Sequence, residues 1–540
     1  MSEKMLAAGS RDEFGERLVQ KQQISQIISQ TLNEKDFTAI STPLIEREST
    51  FEQYHRRNIF HLYDQIGENL VLRPDLTLPI ARFLAANRRQ SQVTQLYYIG
   101  DVFRQTDHLS GAYNQETQAG IELIGDATFN AEMQALDTML NFAEQFGIAE
   151  VQVVLSDARW IDTILKQLTM SEQQRHGLKE AIEAKNLTAF EKLRETIPDF
   201  PETLKRWPLA FGEDGEDVMW QLQYIPAAKK IIDNWLRLAE FVHQHYPEVT
   251  VTVDLAASSP QPYYTGAIMR GFIPSLGRYL FSGGRYDRLL ENFQNETLPA
   301  VGMGLDIETI LKKWRMAPTD DITREPIIVV LGKGRIAKDA QKLLKLAGID
   351  TSPLDKPERK LIFSSPDGVY RFILVKPTDV IKYLDRGIGD IGIVGSDTMA
   401  EQDQNHYDML DLETGQATFV VAAPPKFNLN ATQRKRIATK YPTVTTQYFS
   451  KRGEDVEIIK LEGSVELGPL TNLSDAIVDI TETGNTLREN NLVIYDKVAK
   501  VSTHLIIRSG ALLQFQTELK RVIENMMTIL GEKQNENYPK

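Results

Sequence analysis

The chain has 540 residues, 42% of them apolar, with a formal net charge of −13 and no cysteine. This length accommodates roughly three or four domains with packed cores. The acidic balance argues against broad binding to nucleic acid or anionic membrane, and the lack of thiols excludes disulfides, thiolate metal sites and a cysteine nucleophile. The eight histidines are scattered, and the closest pair, His243 and His245, reads as solvated residues at a helix end. Residues 1–17 hold no apolar segment of secretory type, and no stretch approaches the roughly eighteen apolar residues of a membrane helix, so a soluble cytoplasmic protein is expected.

In chain order, residues 95–103, 118–125 and 278–282 read as antiparallel-type strands and 132–146 as a helix, an α+β pattern. The polar stretch 312–326 carries two prolines and precedes an abrupt apolar run from Ile327, which marks the main boundary. Beyond it, short apolar strands at 327–331, 372–375, 391–394, 419–423 and 475–480 alternate with helical segments, the pattern of open α/β units. A last amphipathic helix, 512–530, suits packing against its own domain or a neighbouring subunit.

Two turns in this second half have the chemistry of anion sites. Gly332-Lys333-Gly334-Arg335 joins a strand to a helix, with two cations beside the glycines. The run from Asp475 to Leu487 is an apolar strand entering a turn in which Gly484 allows close approach and Thr483 and Thr486 add hydroxyl donors. Asp475 and Asp479, four residues apart on a strand, face one side of the sheet and suit the hydroxyls of a ribose. Asp479 has a rival reading as a cap for the following helix, and Asp397 reads as an N-cap, with a substrate contact as the rival reading. Arg359, beside Lys360 in a polar loop, has the rival reading of a surface ion pair.

Together with Arg359-Lys-Leu-Ile-Phe, Asp390-Ile-Gly-Ile-Val-Gly-Ser-Asp397, Arg436-Ile-Ala-Thr-Lys-Tyr-Pro and Lys460-Leu-Glu-Gly-Ser-Val-Glu466-Leu, these motifs closely resemble the short form of ATP phosphoribosyltransferase over residues 326–530. The resemblance implies the first step of histidine biosynthesis, in which ATP and phosphoribosyl pyrophosphate give N1-phosphoribosyl-ATP and pyrophosphate. It implies a periplasmic-binding-protein-like α/β domain at 327–540, with lobe I at about 327–420 and 501–540 and lobe II at about 421–500. Arg335 and Arg359, assisted by Lys333, would stabilise the leaving pyrophosphate; Mg²⁺ would be bound through substrate phosphates, with no protein ligand. Thr483, Gly484, Asn485 and Thr486 would hold the 5′-phosphate, while Asp475, Asp479 and Glu466 meet the ribose.

Residues 10–315 resemble the catalytic core of histidyl-tRNA synthetase, a class II aminoacyl-tRNA-synthetase fold. The motifs are Leu72-Arg-Pro-Asp-Leu-Thr77, Gly100-Asp-Val-Phe-Arg104, Gln118-Ala-Gly-Ile-Glu122, Tyr263-Tyr-Thr-Gly266 and Gly283-Gly-Arg-Tyr-Asp287. In that family the positions of Asp75, Thr77, Gln118, Glu122, Tyr263 and Tyr264 line the amino-acid pocket. The departures are informative. Ser259 stands where the synthetase has arginine, Gly304-Leu-Asp-Ile307 replaces Gly-Leu-Glu-Arg, and Gly111-Ala-Tyr-Asn replaces Gly-Arg-x-Arg. The pattern resembles the regulatory subunit that accompanies the short transferase, activates it and mediates inhibition by histidine. The expectation is a fusion, with a regulatory domain at 1–314, a linker at 315–326 and the transferase after it, assembling as a homo-oligomer: a tetramer by family analogy, a dimer at least. The rival functions are a synthetase acting on tRNA and a noncatalytic solute-binding module.

Overall fold

The computed structural model describes residues 6–7, 9–52, 54, 58–87, 93–105, 113–214, 225–259, 261–293, 297–315, 326–355, 360–402, 406–430 and 433–536. The chain forms two compact units, Met1–Thr323 and Arg324–Lys540. The expected linker falls mostly at 316–325, outside the described residues; Arg315 ends the helix Ile307–Arg315.

The first unit contains β1 (Thr38–Ala39), β2 (Ile45–Arg47), β3 (His61–Tyr63), β4 (Asn69–Leu72), β5 (Thr94–Phe103), β6 (Gln115–Ile124), β7 (Gln152–Asp157), β8 (Glu213–Asp214), β9 (Thr250–Val253), β10 (Ala267–Ile273), β11 (Arg278–Arg285) and β12 (Ala300–Asp306). Nine of them form a sheet in the order β1-β5-β6-β12-β11-β10-β7-β9-β8, and β2-β4-β3 form a small second sheet. Period-two alternation divides the large sheet into two faces. Tyr97, Ile121, Met303 and Met269 point into the main core with residues of the helices Glu16–Glu34 and Asn130–Gln145. The opposite face carries two cross-strand rows, Leu96–Glu122–Gly302–Gly284–Ile268 and Tyr98–Gly120–Gly304–Ser282–Arg270. At the glycines of these rows neighbouring side chains take the space: Tyr98 at Gly120, Glu122 and Tyr286 at Gly302, and Gln118 at Gly304.

The second unit contains β13 (Ile327–Gly332), β14 (Ile362–Ser364), β15 (Tyr370–Val375), β16 (Ile391–Gly395), β17 (His406–Asp411), β18 (Ala417–Ala423), β19 (Lys435–Thr439), β20 (Val456–Lys460), β21 (Ala476–Thr481), β22 (Val493–Val501) and β23 (Thr503–Arg508). They build two sheets, β14-β15-β13-β16-β23-β17, parallel across β15-β13-β16 and antiparallel toward both ends, and β20-β19-β21-β18-β22, parallel across β20-β19-β21 and antiparallel at β18 and β22. The chain passes from the first sheet to the second between β17 and β18 and returns at Ser502. A lobe border at 420/421 would cut β18, whose whole length pairs with β21 and β22; the second lobe therefore begins at Ala417. The expected helix at 512–530 is broken at buried Phe515 into Ser509–Gln514 and Gln516–Glu536. Its second part is tied to the helix Arg335–Leu346, where Asn525 Nδ2 donates to Ala347 O at 2.9 Å. Among the described residues no helix is long and apolar enough to cross a membrane.

Candidate functional sites

In the second unit, the site forms at the carboxyl ends of the parallel strands, where open α/β sheets bind ligands. Ala476, Ile477 and Val478 anchor β21 in the core, and the strand emerges at half-buried Asp479. The turn then needs a left-handed residue, and Gly484 supplies it with φ 72°. Gly484 N–H donates to Thr481 Oγ1 at 2.9 Å, and the helix Asn485–Glu489 starts there with first-turn N–H groups that have no i−4 carbonyl to bond. Thr483, Asn485 and Thr486 are exposed, while buried Leu487 fixes the helix to the lobe. Arg488, which sequence reasoning passed over, donates to Thr483 O and to Asn485 Oδ1, holding a cation beside the turn.

Asp479 accepts from the Ile480 N–H at 2.9 Å and does not cap the helix. Burial pushes its carboxyl up to about 6, with the charge of Glu466 adding and Lys440 opposing. Three strand ends thus converge: Lys440 after β19, Glu466 after β20 and Asp479 on β21.

Asp475 is a correction. It precedes β21, at the end remote from the turn, and accepts from Arg436 N at 2.8 Å and Arg436 Nη2 at 2.7 Å. That clamp between β19 and β21 holds its carboxyl below the usual range. Both aspartates were expected on one strand face, but Asp475 lies outside β21 and about 13 Å of extended chain separates the two, too far to share a ribose. Asp397 is a second correction. The N-cap of Ser396–Ala400 is Gly395, and Asp397 Oδ2 instead accepts from Tyr441 OH at 3.0 Å, a bond between the two lobes. A Cβ at Gly395 would lie 2.2 Å from Asp397 Oδ1, so the small residue makes room for that carboxylate. Nearby Glu401 accepts from Thr443 N and Val444 N at 3.1 and 2.9 Å, capping the helix Pro442–Lys451 from the other lobe.

Of the cations, Lys333 is exposed after β13. Arg335 begins its helix and is described by its backbone alone, and Arg359 lies outside the described residues.

In the first unit, Glu122 projects from β6 into the space that Gly302 leaves; a Cβ there would lie 2.0 Å from Glu122 Oε2. Glu122 is 1% exposed and accepts from Thr77 Oγ1 at 2.8 Å and from Tyr286 OH. Burial pushes its carboxyl up to about 8, the Thr77 hydrogen bond opposing and the Asp75 charge adding. Asp75 is buried too, accepting from Tyr54 OH and from Leu78 N at 3.1 Å; burial raises its carboxyl while Tyr54 lowers it. Tyr263 and Tyr264 stand 5.3 Å apart, with Tyr286 at 5.7 and 6.4 Å from them. Five of the six expected residues, Asp75, Thr77, Glu122, Tyr263 and Tyr264, meet here. Gln118, on the same face of β6, lines a cavity of about 210 Å³ with Arg104, Glu116 and Tyr279. Tyr54 and Tyr286 were missed as pocket residues because a phenol facing a buried carboxylate leaves no local sequence signal.

At the departures from the synthetase pattern, Ser259 Oγ donates to Gln261 O at 2.6 Å. Asp306 accepts from Glu308 N, Thr309 N and Thr309 Oγ1, capping Ile307–Arg315, and Ile307 is core. Gly111 and Ala112 lie outside the described residues. His243 and His245 are exposed in the last turn of Lys229–His245.

A family profile for histidyl-tRNA synthetase matches residues 9–310, and one for ATP phosphoribosyltransferase matches residues 376–529. The ATP phosphoribosyltransferase regulatory subunit of Lacticaseibacillus casei is 38% identical over 331 residues, 60% of this chain and 86% of that protein. The ATP phosphoribosyltransferase of Listeria innocua is 49% identical over 206 residues, 38% of this chain and 97% of that protein. The chain belongs to the ATP phosphoribosyltransferase family. It joins a regulatory-subunit-like unit and a transferase unit in one polypeptide. A solved ATP phosphoribosyltransferase regulatory subunit/histidyl-tRNA synthetase from Bacillus halodurans C matches with TM-score 0.52 at 23% identity, covering 69% of this chain and 93% of that one. That likeness gives the first unit a class II synthetase-like fold.

Proposed function

We propose that the second unit transfers the phosphoribosyl group of phosphoribosyl pyrophosphate to N1 of ATP, the first step of histidine biosynthesis, and that the first unit activates it and carries inhibition by histidine. The observation that carries the transferase reading is the exposed turn at 483–486 beside half-buried Asp479 and Glu466, at the carboxyl ends of parallel strands.

N1 of neutral adenine already has a lone pair, so no general base is required to create the nucleophile. The barrier lies in breaking the anomeric C–O bond, which places positive charge on the ribose and negative charge on the departing pyrophosphate. Thr483, Gly484, Asn485 and Thr486 hold the 5′-phosphate through backbone N–H and hydroxyl groups, with Arg488 behind them. Asp479 and Glu466 face the ribose and stabilise its developing charge. Lys333, Arg335 and Arg359 stabilise the leaving group; removing one such contact costs on the order of 10² to 10³ in rate. Mg²⁺ bound through the phosphates of the pyrophosphate substrate would supply charge neutralisation there beside these cations. The charge of Glu466 raises the cost of ionising Asp479, so that side suits a cationic partner.

The two-sheet arrangement with paired crossovers supports a periplasmic-binding-protein-like reading of the lobes, with the Tyr441–Asp397 bond spanning them. In the first unit, Asp75 and Glu122 provide acceptors for an ammonium and an imidazolium, and Tyr263, Tyr264 and Tyr286 provide walls for a planar ring. The missing synthetase cations remove contacts for an adenylate, which favours a sensor over an activating enzyme. Assembly as a homo-oligomer follows the family.

The test is direct. Full-length protein with ATP, phosphoribosyl pyrophosphate and Mg²⁺ forms the N1-adduct, followed by its ultraviolet absorbance, and added histidine slows it. An absence of adduct overturns the transferase reading; inhibition that survives Glu122→Ala overturns the regulatory pocket.

A further inference from the structure

Beyond the cleft, the first lobe holds a cavity of about 1200 Å³ at the carboxyl end of β13, on its β15 side. Five amines surround it: Lys333, Lys338, Lys342, Lys345 and Lys360. Lys338, Lys342 and Lys345 are spaced by four and three residues on the helix Arg335–Leu346, so they share one face, and all three are exposed. Among the described lining residues the only carboxylate is Asp355, whose Oδ1 accepts from Gln341 Nε2 at 2.7 Å. Leu354, Leu361 and Leu374 give the cavity an apolar wall.

This arrangement is unusual for the chain. The protein carries a net charge of −13, yet it gathers five ammonium groups around one hollow. Lys345 sits in the last turn and Lys342 Nζ lies 3.9 Å from Asp339 Oδ1, but both positions are exposed and such placements contribute little, while the like charges of Lys338 and Lys342 at i, i+4 oppose the helix. Lysine binds phosphate as a point charge without demanding a fixed geometry, which suits a flexible polyphosphate. From Lys338 to Lys345 the helix rises about 10 Å, enough to track several phosphate groups in sequence. The row starts next to Lys333, at the cleft end, and runs away from it.

We propose that Lys338, Lys342 and Lys345 form a subsite for the triphosphate of the nucleotide substrate, leading it outward from the cleft past the apolar wall. The subsite rests on the transferase reading of this unit. It adds a role for residues outside the Gly-Lys-Gly-Arg turn: they bind the nucleotide and leave the bond-breaking step alone.

The test uses the full chain with all three lysines changed to alanine, assayed for the N1-adduct with each substrate varied. KM for ATP rises about tenfold, while kcat and KM for phosphoribosyl pyrophosphate stay within about twofold. Inorganic tripolyphosphate competes with ATP in the unchanged protein and loses affinity by a similar factor in the variant. Arginine at the three positions restores KM. An unchanged KM for ATP overturns the proposal, as does an equal rise in both KM values, which would assign the lysines to the leaving group. If the triple variant loses its cooperative melt, Lys342→Glu alone is read by the same split. If the unchanged protein makes no adduct, the transferase reading fails. Calorimetry with tripolyphosphate then decides the subsite separately, equal affinity for both proteins overturning it.

Discussion

Replacing Glu122 with glutamine should make the first unit more stable in alkaline solution and not in acid. Burial lifts the Glu122 carboxyl from 4.5 to about 8, so the folded state keeps a proton that the unfolded state has released throughout that interval. Stability contributed by the protonated group is complete below about pH 4.5 and is lost as pH rises toward 8. A difference near 3.5 units at about 1.4 kcal/mol each sets a ceiling of about 5 kcal/mol. Glutamine removes that penalty but offers one acceptor where the carboxylate accepts from both Thr77 and Tyr286, which costs about 1–2 kcal/mol. The expected result at pH 9 is a gain of about 2–4 kcal/mol, and at pH 5 equality or a loss of about 1 kcal/mol. All five tryptophans, at 160, 207, 220, 235 and 314, lie in this unit, so urea unfolding followed by their fluorescence reads it selectively. A variant-to-parent difference that stays constant from pH 5 to pH 9 would refute the reasoning, because a group that titrates between those limits must change it.

The two aspartates of the 475–487 segment should separate cleanly. Asp479→Asn lowers kcat/KM for phosphoribosyl pyrophosphate by about 10²-fold, whereas Asp475→Asn leaves it unchanged and costs about 1 kcal/mol or less, as for a partly exposed ion pair. Equal kinetic losses would restore Asp475 to the site. Because the Asp479 carboxyl is pushed up to about 6, kcat/KM for that substrate should climb between pH 5 and pH 7 and level off above, and the climb should vanish in Asp479→Asn. Tyr441→Phe removes the 3.0 Å bond to Asp397, so kcat should fall by a few-fold to tenfold with little change in the melting temperature, about 1 kcal/mol being at stake between the lobes. Arg335→Ala should lower kcat by about 10² to 10³ while KM for ATP barely moves, and an unaffected kcat would remove Arg335 from the leaving-group site.

Much of the architecture was legible in the sequence because it follows from short-range physics. Apolar runs bounded by turn residues located β5, β6, β13, β15, β16, β18 and β21 to within a few residues, and the composition shift after residue 312 separated an α+β half from an α/β half. Strands β17, β19, β20 and β22 were missed as strands: with Asp408, Arg436, Glu457 and Lys497 on their faces they lack an uninterrupted apolar run, and their pairing is what makes them strands.

The sequence by itself determined the chemistry available: a Gly484 turn that only a left-handed residue completes, cations after β13, two buried-type carboxylates and a tyrosine pair, in motif order that points to a fused transferase. The tertiary structure alone decided which of these meet. Asp475 and Asp479 are four residues apart, yet Asp475 lies before β21 beside Arg436 and Asp479 near its far end beside Glu466. Glu122, Thr77 and Tyr286 are far apart in the chain, and they touch because strand register lines them up over glycines whose missing side chains leave the space. Local pattern fixes what a residue can do; register and burial fix what it does it to, and both depend on contacts as far apart in the chain as the 164 residues between Glu122 and Tyr286.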